Sequence, residues 1–238
     1  MNAPGLIEPE RLGPATELVM FLATHPGGVH PNVLAAAIWP RGVTREVRDA
    51  ALARARDWLG TDDVGRPHLA TDASGQLRLG SQVRVDWQVF CALMARAADD
   101  GRDEEAALEQ ALSLVTGPFM DGREPGRYAW LASDGLEYEV AARVADAAHR
   151  LSGLRLAQGD PGGALGAARA GLRLAFDDEL LWRDLVTAAH ASGQEHLLRA
   201  AVAEVCARTA LDEVLPRMAP ETEALIDELL PSWRSSVG

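Results

Sequence analysis

Lysine is absent from this sequence, so all 23 basic residues are arginines. Without lysine the chain cannot carry the GK[ST] phosphate loop, a Schiff-base lysine or the phosphate-binding lysine of a kinase. The glycine-rich stretch 159–171 has neither the G-x-G-x-x-G spacing nor a strand before it. We interpret these glycines as a turn between helices rather than as a phosphate cradle.

Cysteine is scarce and histidine is scattered, which argues against a metal centre. Cys91 and Cys206 are the only cysteines, and neither has a C-x-x-C partner, so we expect reduced, buried thiols. His190 and His196 are six positions apart, off the spacing that places two ligands on one helix face. No nucleophile stands at a motif spacing from a base, and paired acids such as Asp177 and Asp178 open helices. We therefore expect no metal, no cofactor and no enzyme.

Long apolar runs are missing as well. The longest, VLAAAIWP at 33–40, falls far short of the ~20 residues that cross a bilayer. The beginning, MNAPGLIEPERLG, has acids and prolines where a signal peptide has a basic and then an apolar segment. We expect a cytoplasmic chain without direct membrane contact, either on its own or as the cytoplasmic part of a larger membrane-anchored protein.

The net charge of −12 is unevenly distributed. Residues 1–88 hold nine arginines against ten acids, a balance of −1, whereas residues 89–238 hold 14 arginines against 25 acids, a balance of −11. Such a contrast, at 238 residues, predicts two domains, 1–85 and 86–238. It also argues against the second domain lying on phosphate or on an anionic membrane.

Short helical patterns separated by turn signals make up the first part. They predict helices over 16–28, 30–40 and 41–60, the last beginning after Thr44 and ending at Gly60. HLATDASGQLRLG (68–80) predicts a hairpin, and VRVDW (83–87) one further strand. Three helices followed by a hairpin wing is the order of a winged helix-turn-helix.

Helical periodicity continues from there to the end of the chain. It predicts helices over 85–100 and 103–117, a loop over 118–130, a long helix to about 157, and further helices over 161–175, 178–192, 194–209 and 220–230. Gly159 and Gly193, each in the turn of a helical pair, are 34 positions apart, which is the tetratricopeptide (TPR) period. We therefore predict a mainly α protein whose second part is a TPR-like helical repeat.

Several segments resemble those of the SARP/AfsR-type regulators, in which a winged helix-turn-helix precedes a bacterial transcriptional activator domain (BTAD). They are LAAAIWP (34–40), ALARARDWLG (51–60), GQLRLGSQVRVDWQVF (75–90), YAWLASDGLEYEVAARVADAAHRL (128–151) and ALGAARAGLRLAFDDELLWRDLVTAAHASG (164–193). The resemblance covers residues 16 to about 230. Only about 15 residues precede the first predicted helix, where the family has a small sheet, so the chain is most similar to the BTAD modules of larger actinobacterial proteins of the LysM/BTAD type.

The arginine-rich helix REVRDAALARARDWLG (45–60) decides whether the resemblance extends to DNA binding. Val47, Ala51, Leu52, Ala55, Trp58 and Leu59 form a predicted core stripe. Glu46, Asp49 and Asp57 lie opposite this stripe, and carboxylates there repel phosphate. The arginines that could contact DNA are Arg41, Arg45, Arg54, Arg56, Arg66 and Arg78. We favour the alternative in which such arginines lie over Trp58 and pair with the helix's own acids.

Two functions remain open at this point. The first is a regulatory module that binds a protein partner, a peptide or helix in the groove of the helical repeat, with weak or no DNA binding. Its candidate groove residues are Tyr128, Trp130, Tyr138, Trp182 and Arg183. The second is a transcriptional activator that contacts DNA through residues 41–80 and RNA polymerase through the helical half. A homodimer is compatible with either.

Overall fold

The computed structural model describes residues 3–99, 103–124, 126–210 and 218–235. These residues form eleven α-helices and one two-stranded antiparallel sheet, so the prediction of a mainly α protein is confirmed. In chain order the elements are α1 (Pro9–Thr24), α2 (Pro31–Ile38), α3 (Arg45–Leu59), β1 (Leu69–Thr71), β2 (Leu77–Leu79), α4 (Asp86–Asp99), α5 (Glu104–Ser113), α6 (Leu131–Asp134), α7 (Leu136–Ala157), α8 (Pro161–Leu172), α9 (Glu179–Ala191), α10 (Glu195–Ala210) and α11 (Pro220–Leu229).

The chain divides into two compact units that are not contiguous in sequence. The first unit contains Met1–Val85 and Gly122–Leu136, and the second contains Asp86–Asp121 and Glu137–Gly238. Residues 122–136, here called the inserted segment, therefore leave the second unit after α5, pack in the first unit and return at α7. The sequence predicted one boundary, between residues 85 and 86, and the insertion was not predicted.

Local capping fixes the helices of the first unit. The Thr44 hydroxyl accepts a hydrogen bond from the Val47 amide (3.4 Å) and opens α3, which Gly60 ends. Pro31 occupies the first turn of α2, where its missing amide hydrogen costs nothing. Helix α1 begins at Pro9 rather than at Thr16, because a proline is equally suited to that first position.

The sheet is a hairpin that pairs Leu69 with Leu79 and Thr71 with Leu77. Its turn is closed by Asp72, whose carboxylate accepts hydrogen bonds from the Ser74 amide (2.9 Å) and the Gln76 amide (3.0 Å). Val29, between α1 and α2, makes an isolated antiparallel bridge with Leu77. The strand expected over 83–87 is wrong, since among the described residues Asp86 opens α4 and the three residues before it form no strand.

The core of the first unit lies between the helices and the hairpin. It consists of fully or nearly fully buried side chains from every one of these elements: Leu18, Phe21, Leu22, Val29, Leu34, Leu52, Ala55, Trp58, Leu69 and Leu77. Burial of this apolar surface, at about 25 cal/mol per Å², is the main force that holds the unit together.

Helical pairs build the second unit. Gly159 follows α7 and Gly193 follows α9, and both adopt left-handed backbone (φ 75° and 67°), the conformation that lets a helix end and the chain reverse. Asp160 and Asp178 then cap α8 and α9 by accepting from the amides of Gly163 and Leu181 (2.9 Å each). The core is rich in small residues facing large ones: Ala164, Ala168, Ala188, Ala189 and Ala201 against Trp182, Leu185, Val186, Val205 and Ile226.

No helix in the described part of the chain is both long enough and apolar enough to cross a membrane.

Candidate functional site

Helix α3 presents one buried and one charged face. Leu52, Ala55, Trp58 and Leu59 are buried, as the periodicity predicted. Val47 is 51% exposed, so its assignment to the core stripe is wrong. It lies in the first turn of the helix, ahead of the buried residues, the first of which is Leu52. The opposite face exposes Arg45, Glu46, Asp49, Arg54 and Asp57, which is three acids against two arginines.

Asp49 pairs with both arginines at the start of α3. Its carboxylate lies 3.5 Å from Arg45 Nε and 2.8 Å from Arg48 Nη2. Arg48 also donates to the side-chain oxygen of Asn32 on α2 (2.6 Å). The hydrogen bond from Arg48 lowers the pKa of Asp49, so this carboxylate stays charged well into the acid range. Two arginines sharing one carboxylate leave a net charge of only +1.

Arginines in and beside the hairpin are also paired with nearby acids. Arg66 Nε lies 2.8 Å from Asp62, and Arg78 Nε lies 2.7 Å from Asp72. Hydrogen bonds from Ser74, Arg78 and the Gln76 amide together hold the pKa of Asp72 far below its usual range. Arg78 is thus already paired within the hairpin.

The other three candidate DNA contacts differ from one another. Arg56 is half-buried and donates to the Thr71 hydroxyl of β1 (3.0 Å). Arg41 and Arg54 are exposed, and neither has an acid within 4 Å among the residues that the structure describes. Of the six arginines, three are thus paired with a carboxylate of their own surface.

A cleft of about 710 Å³, open to solvent, lies where α2 approaches α3. Its apolar lining comes from Ala35, Ala36, Trp39 and Val43, and its polar lining from His30, Asn32, Thr44, Arg45 and Arg48, with Gly75 from the hairpin turn. No aspartate or glutamate is among the lining residues of this cleft.

The five candidate groove residues are divided between the two units. Tyr128 and Trp130 are in the inserted segment and pack with the first unit. Trp182 is buried in the second unit, where its indole donates to the Phe176 carbonyl (2.8 Å). Arg183 donates to the Thr222 hydroxyl (3.3 Å), and Tyr138, 84% exposed, is on the first turn of α7.

Glu17, which was not among the predicted site residues, holds the inserted segment. It is 4% exposed on α1, and its carboxylate accepts from the Tyr128 amide (2.6 Å) and lies 3.5 Å from Arg127 Nη1. Tyr128 has a left-handed backbone (φ 60°), which costs a non-glycine residue about 1–3 kcal/mol and needs such support. The available signal was an acid directly before the apolar run LVMFL (18–22), which a buried partner explains.

Aromatic contacts complete this attachment. Trp130 packs edge-on against Phe21 of α1, at 5.0 Å between ring centroids, and His25 stacks on the ring of Phe21 at 4.2 Å. His25 Nε2 also lies 3.8 Å from the Asp134 carboxylate. The Trp130 indole nitrogen is buried without a hydrogen-bond partner among the described residues.

One histidine–aspartate pair in the second unit has the composition of a catalytic dyad. His149 Nδ1 of α7 lies 2.8 Å from Asp184 of α9, and burial raises the pKa of Asp184 although His149 opposes the rise. Ser152, one turn after His149, is completely buried. A substrate therefore has no access to its hydroxyl, and the pair joins two helices.

Cys91 and Cys206 do not form a disulfide; both are half-buried, and burial raises the pKa of each thiol. Within the described residues no group of three or more histidine, cysteine, aspartate or glutamate side chains is placed to hold a metal ion.

Comparison with known proteins gives no match: no family model fits this chain, and no curated protein is significantly similar to it.

Proposed function

We propose that the chain is a non-enzymatic regulatory module of the BTAD type that acts through protein–protein contacts in transcriptional or signalling regulation, with weak or no DNA binding of its own. The observation that carries the proposal is the charge pattern of α3 and the hairpin. Four arginines in or beside these elements, Arg45, Arg48, Arg66 and Arg78, are paired with Asp49, Asp62 or Asp72, and the exposed face of α3 carries more acids than arginines.

Useful affinity for DNA at cellular salt needs several net phosphate contacts. Exposed ion pairs exchange partners at little cost, so Arg45 could leave Asp49 for a phosphate. The carboxylate would then remain beside the DNA and repel it. Because every paired arginine brings its acid with it, the surface gains little net attraction.

The order of elements supports a winged helix-turn-helix-like architecture for the first unit. Three helices, of which α2 and α3 are joined by a short turn, precede the hairpin, and the bridge between Val29 and Leu77 adds a minimal third strand. Under this proposal α3 has the position of a recognition helix without the charge of one.

The second unit supports the TPR-like part of the proposal. The turns at Gly159 and Gly193 are 34 positions apart, have the same left-handed backbone and each join two helices, α7 to α8 and α9 to α10. Repeated helical pairs of this kind build surfaces that receive peptides or helices.

The alternative is a transcriptional activator that contacts DNA through residues 41–80 and polymerase through the helical half. It is favoured by Arg41 and Arg54, which are exposed and have no acid within 4 Å in the described parts of the chain. Two such arginines supply too few contacts by themselves, so we rank this function second.

A titration of fluorescently labelled genomic duplexes with the full chain, at low and moderate salt, separates the two functions. We expect weak binding at low salt that disappears at moderate salt, and no change on Arg45→Gln. Binding that survives moderate salt, and that both Arg41→Gln and Arg54→Gln weaken, would overturn the proposal in favour of the activator.

A further inference from the structure

The α2–α3 cleft suits an anionic partner with an apolar anchor. Its volume of about 710 Å³ lies within the range of about 300–1,000 Å³ that is usual for binding pockets. One part of its lining is apolar, with Ala35, Ala36 and Trp39, and another carries Arg45 and Arg48. The same two helices also expose Val33 and Val47, 57% and 51% accessible, outside the lining of the cleft.

We propose that this cleft is the docking site for an acidic segment of a partner protein, which places one apolar side chain against Trp39 and one carboxylate against Arg45 and Arg48. The inference rests on the proposed function, since it names the surface and the chemistry of the protein contact. It assigns the contact to the first unit rather than to the helical repeat.

Charge complementarity indicates that the partner segment is negatively charged. The lining contains two arginines and no acid, whereas the chain as a whole has 35 acids against 23 arginines. Asp49, outside the lining, is the carboxylate that Arg45 and Arg48 share, so the pair has one positive charge in excess. A carboxylate entering the cleft completes this arrangement.

The two arginines have different roles in the docking site. Arg48 is 13% exposed and fixed by Asn32 and Asp49, so it is already ordered before binding. Arg45 is 82% exposed and held by a single contact of 3.5 Å, a kind of surface pair that contributes little to stability. It can therefore turn to the partner's carboxylate at small cost.

A duplex fits this site less well than a peptide does. Its phosphates would continue along α3, past the exposed carboxylates of Glu46 and Asp57, while one excess positive charge satisfies one carboxylate. The apolar lining also has no counterpart in a phosphate backbone. A protein segment uses both parts of the cleft.

Selection of short random peptides displayed on phage, with the immobilised full chain as target, tests the inference. We expect the selected peptides to combine aspartate or glutamate with a large apolar residue. Synthetic copies should bind about fivefold more weakly to Arg45→Gln, the loss of one exposed ion pair, and equally well to Arg54→Gln. Arg54 is exposed on the same helix but does not line the cleft, which makes it a matched control.

A second pair of variants avoids the arginines. Ala36 lines the cleft and is exposed, so the Ala36→Glu variant should fold normally. It should bind the selected peptides at least about tenfold more weakly, because the new carboxylate repels their acids. Ala53→Glu, on the exposed face of α3 outside the cleft, should leave binding unchanged.

Three outcomes overturn the inference: selected peptides without acidic residues, equal binding to all four variants, or no selected peptide at all. These outcomes leave the proposed function standing on another surface. Salt-resistant binding of a labelled duplex that Ala36→Glu and Arg45→Gln abolish overturns the inference and the proposed function together.

Discussion

Arginine has two different roles in the two units. In the first unit it pairs with acids close in sequence, as Arg45 does with Asp49, four positions away, and Arg66 with Asp62. In the second unit several arginines reach acids on other helices. Arg150 meets Glu104, Arg155 meets Glu105, Arg169 meets Glu204 and Arg208 meets Glu179.

This difference in pairing shows that the number of arginines says little about nucleic-acid binding. Local pairs in the first unit cancel the surface charge and stabilise the fold only slightly. Cross-helix pairs in the second unit join helices, and their partial burial makes them more costly to break. In both units most arginines are already paired with acids. The net charge of a surface therefore depends on this pairing rather than on the number of arginines.

The largest expected effect concerns the close packing of the second unit. A Cβ atom at Gly171 would lie 2.6 Å from Ala148 Cβ and 2.7 Å from Leu181 Cδ1. Gly171→Val should therefore lower the free energy of unfolding by about 2–3 kcal/mol, measured by urea denaturation. Gly166→Ala, on the same helix with open space around it, should be neutral or stabilising by up to about 1 kcal/mol. Equal losses for both variants would refute the packing argument.

Next in size is the cross-helix pair of Glu179 and Arg208. Arg208→Met leaves Glu179 with the Thr222 hydroxyl as its remaining donor from a side chain (2.6 Å). We expect a loss of about 2 kcal/mol at neutral pH, less than the about 3–5 kcal/mol of a fully buried pair, because both side chains are partly exposed. Arg199→Met, which breaks an exposed pair with Glu195 four positions away, should lose much less.

Lowering the pH provides a second test of the pair of Glu179 and Arg208. Burial alone would raise the pKa of Glu179, but the hydrogen bonds from Thr222 and Arg208 outweigh it and hold the pKa below its ordinary value of 4.5. The pair's stabilisation is thus present above pH 4.5 and is lost as the pH falls through the folded-state pKa. The difference between wild type and Arg208→Met should shrink below pH 4.5. A difference that does not change with pH would contradict this role for Glu179.

The inserted segment gives the third prediction, since its attachment is the exception to local pairing in the first unit. Glu17→Ala removes the acceptor of the Tyr128 amide and should cost about 1–3 kcal/mol. Hydrogen exchange at Tyr128 should accelerate, and proteases should cleave within 122–136 more readily. Glu10→Ala, an exposed acid of the same helix, is the control and should change neither property.

The smallest effect is expected at the surface of α3. Arg45→Gln should leave the thermal midpoint unchanged, since Arg45 is exposed and its single pair is weak. Arg155→Gln should lower the midpoint by a few degrees, because Arg155 contacts Glu105 (2.5 Å), Asp160 (3.1 Å) and Glu109 (3.4 Å) together. Differential scanning calorimetry of both variants measures the two thermal midpoints. A similar shift of the midpoint for both variants would contradict the expected difference between Arg45 and Arg155.

Most helices were predictable because their signals are local. Thr44 and Gly60 bound α3, and Asp178 caps α9, which runs over Glu179–Ala191 where 178–192 was predicted. The attachment of Tyr128 to Glu17 was not predictable, since the partners are 111 positions apart and no pattern in either neighbourhood refers to the other.

The candidate site was predicted in part for the same reason. The acids on the outer face of α3 follow from its period, and their exposure agrees with the structure. The pairing of Arg48 with Asn32 depends on how α2 meets α3, and so does the cleft between them. A single sequence does not specify that approach.

The path of the chain also has a consequence for its synthesis. Residues of the first unit leave the ribosome first, but residues 122–136 emerge only after α4 and α5 have been made. Until then the carboxylate of Glu17 lacks the partners that it has in the finished protein. Domains generally fold as units in the order of translation. Here the earlier unit must wait for part of the later sequence, so a nascent chain halted after residue 85 should hold an open, protease-sensitive α1.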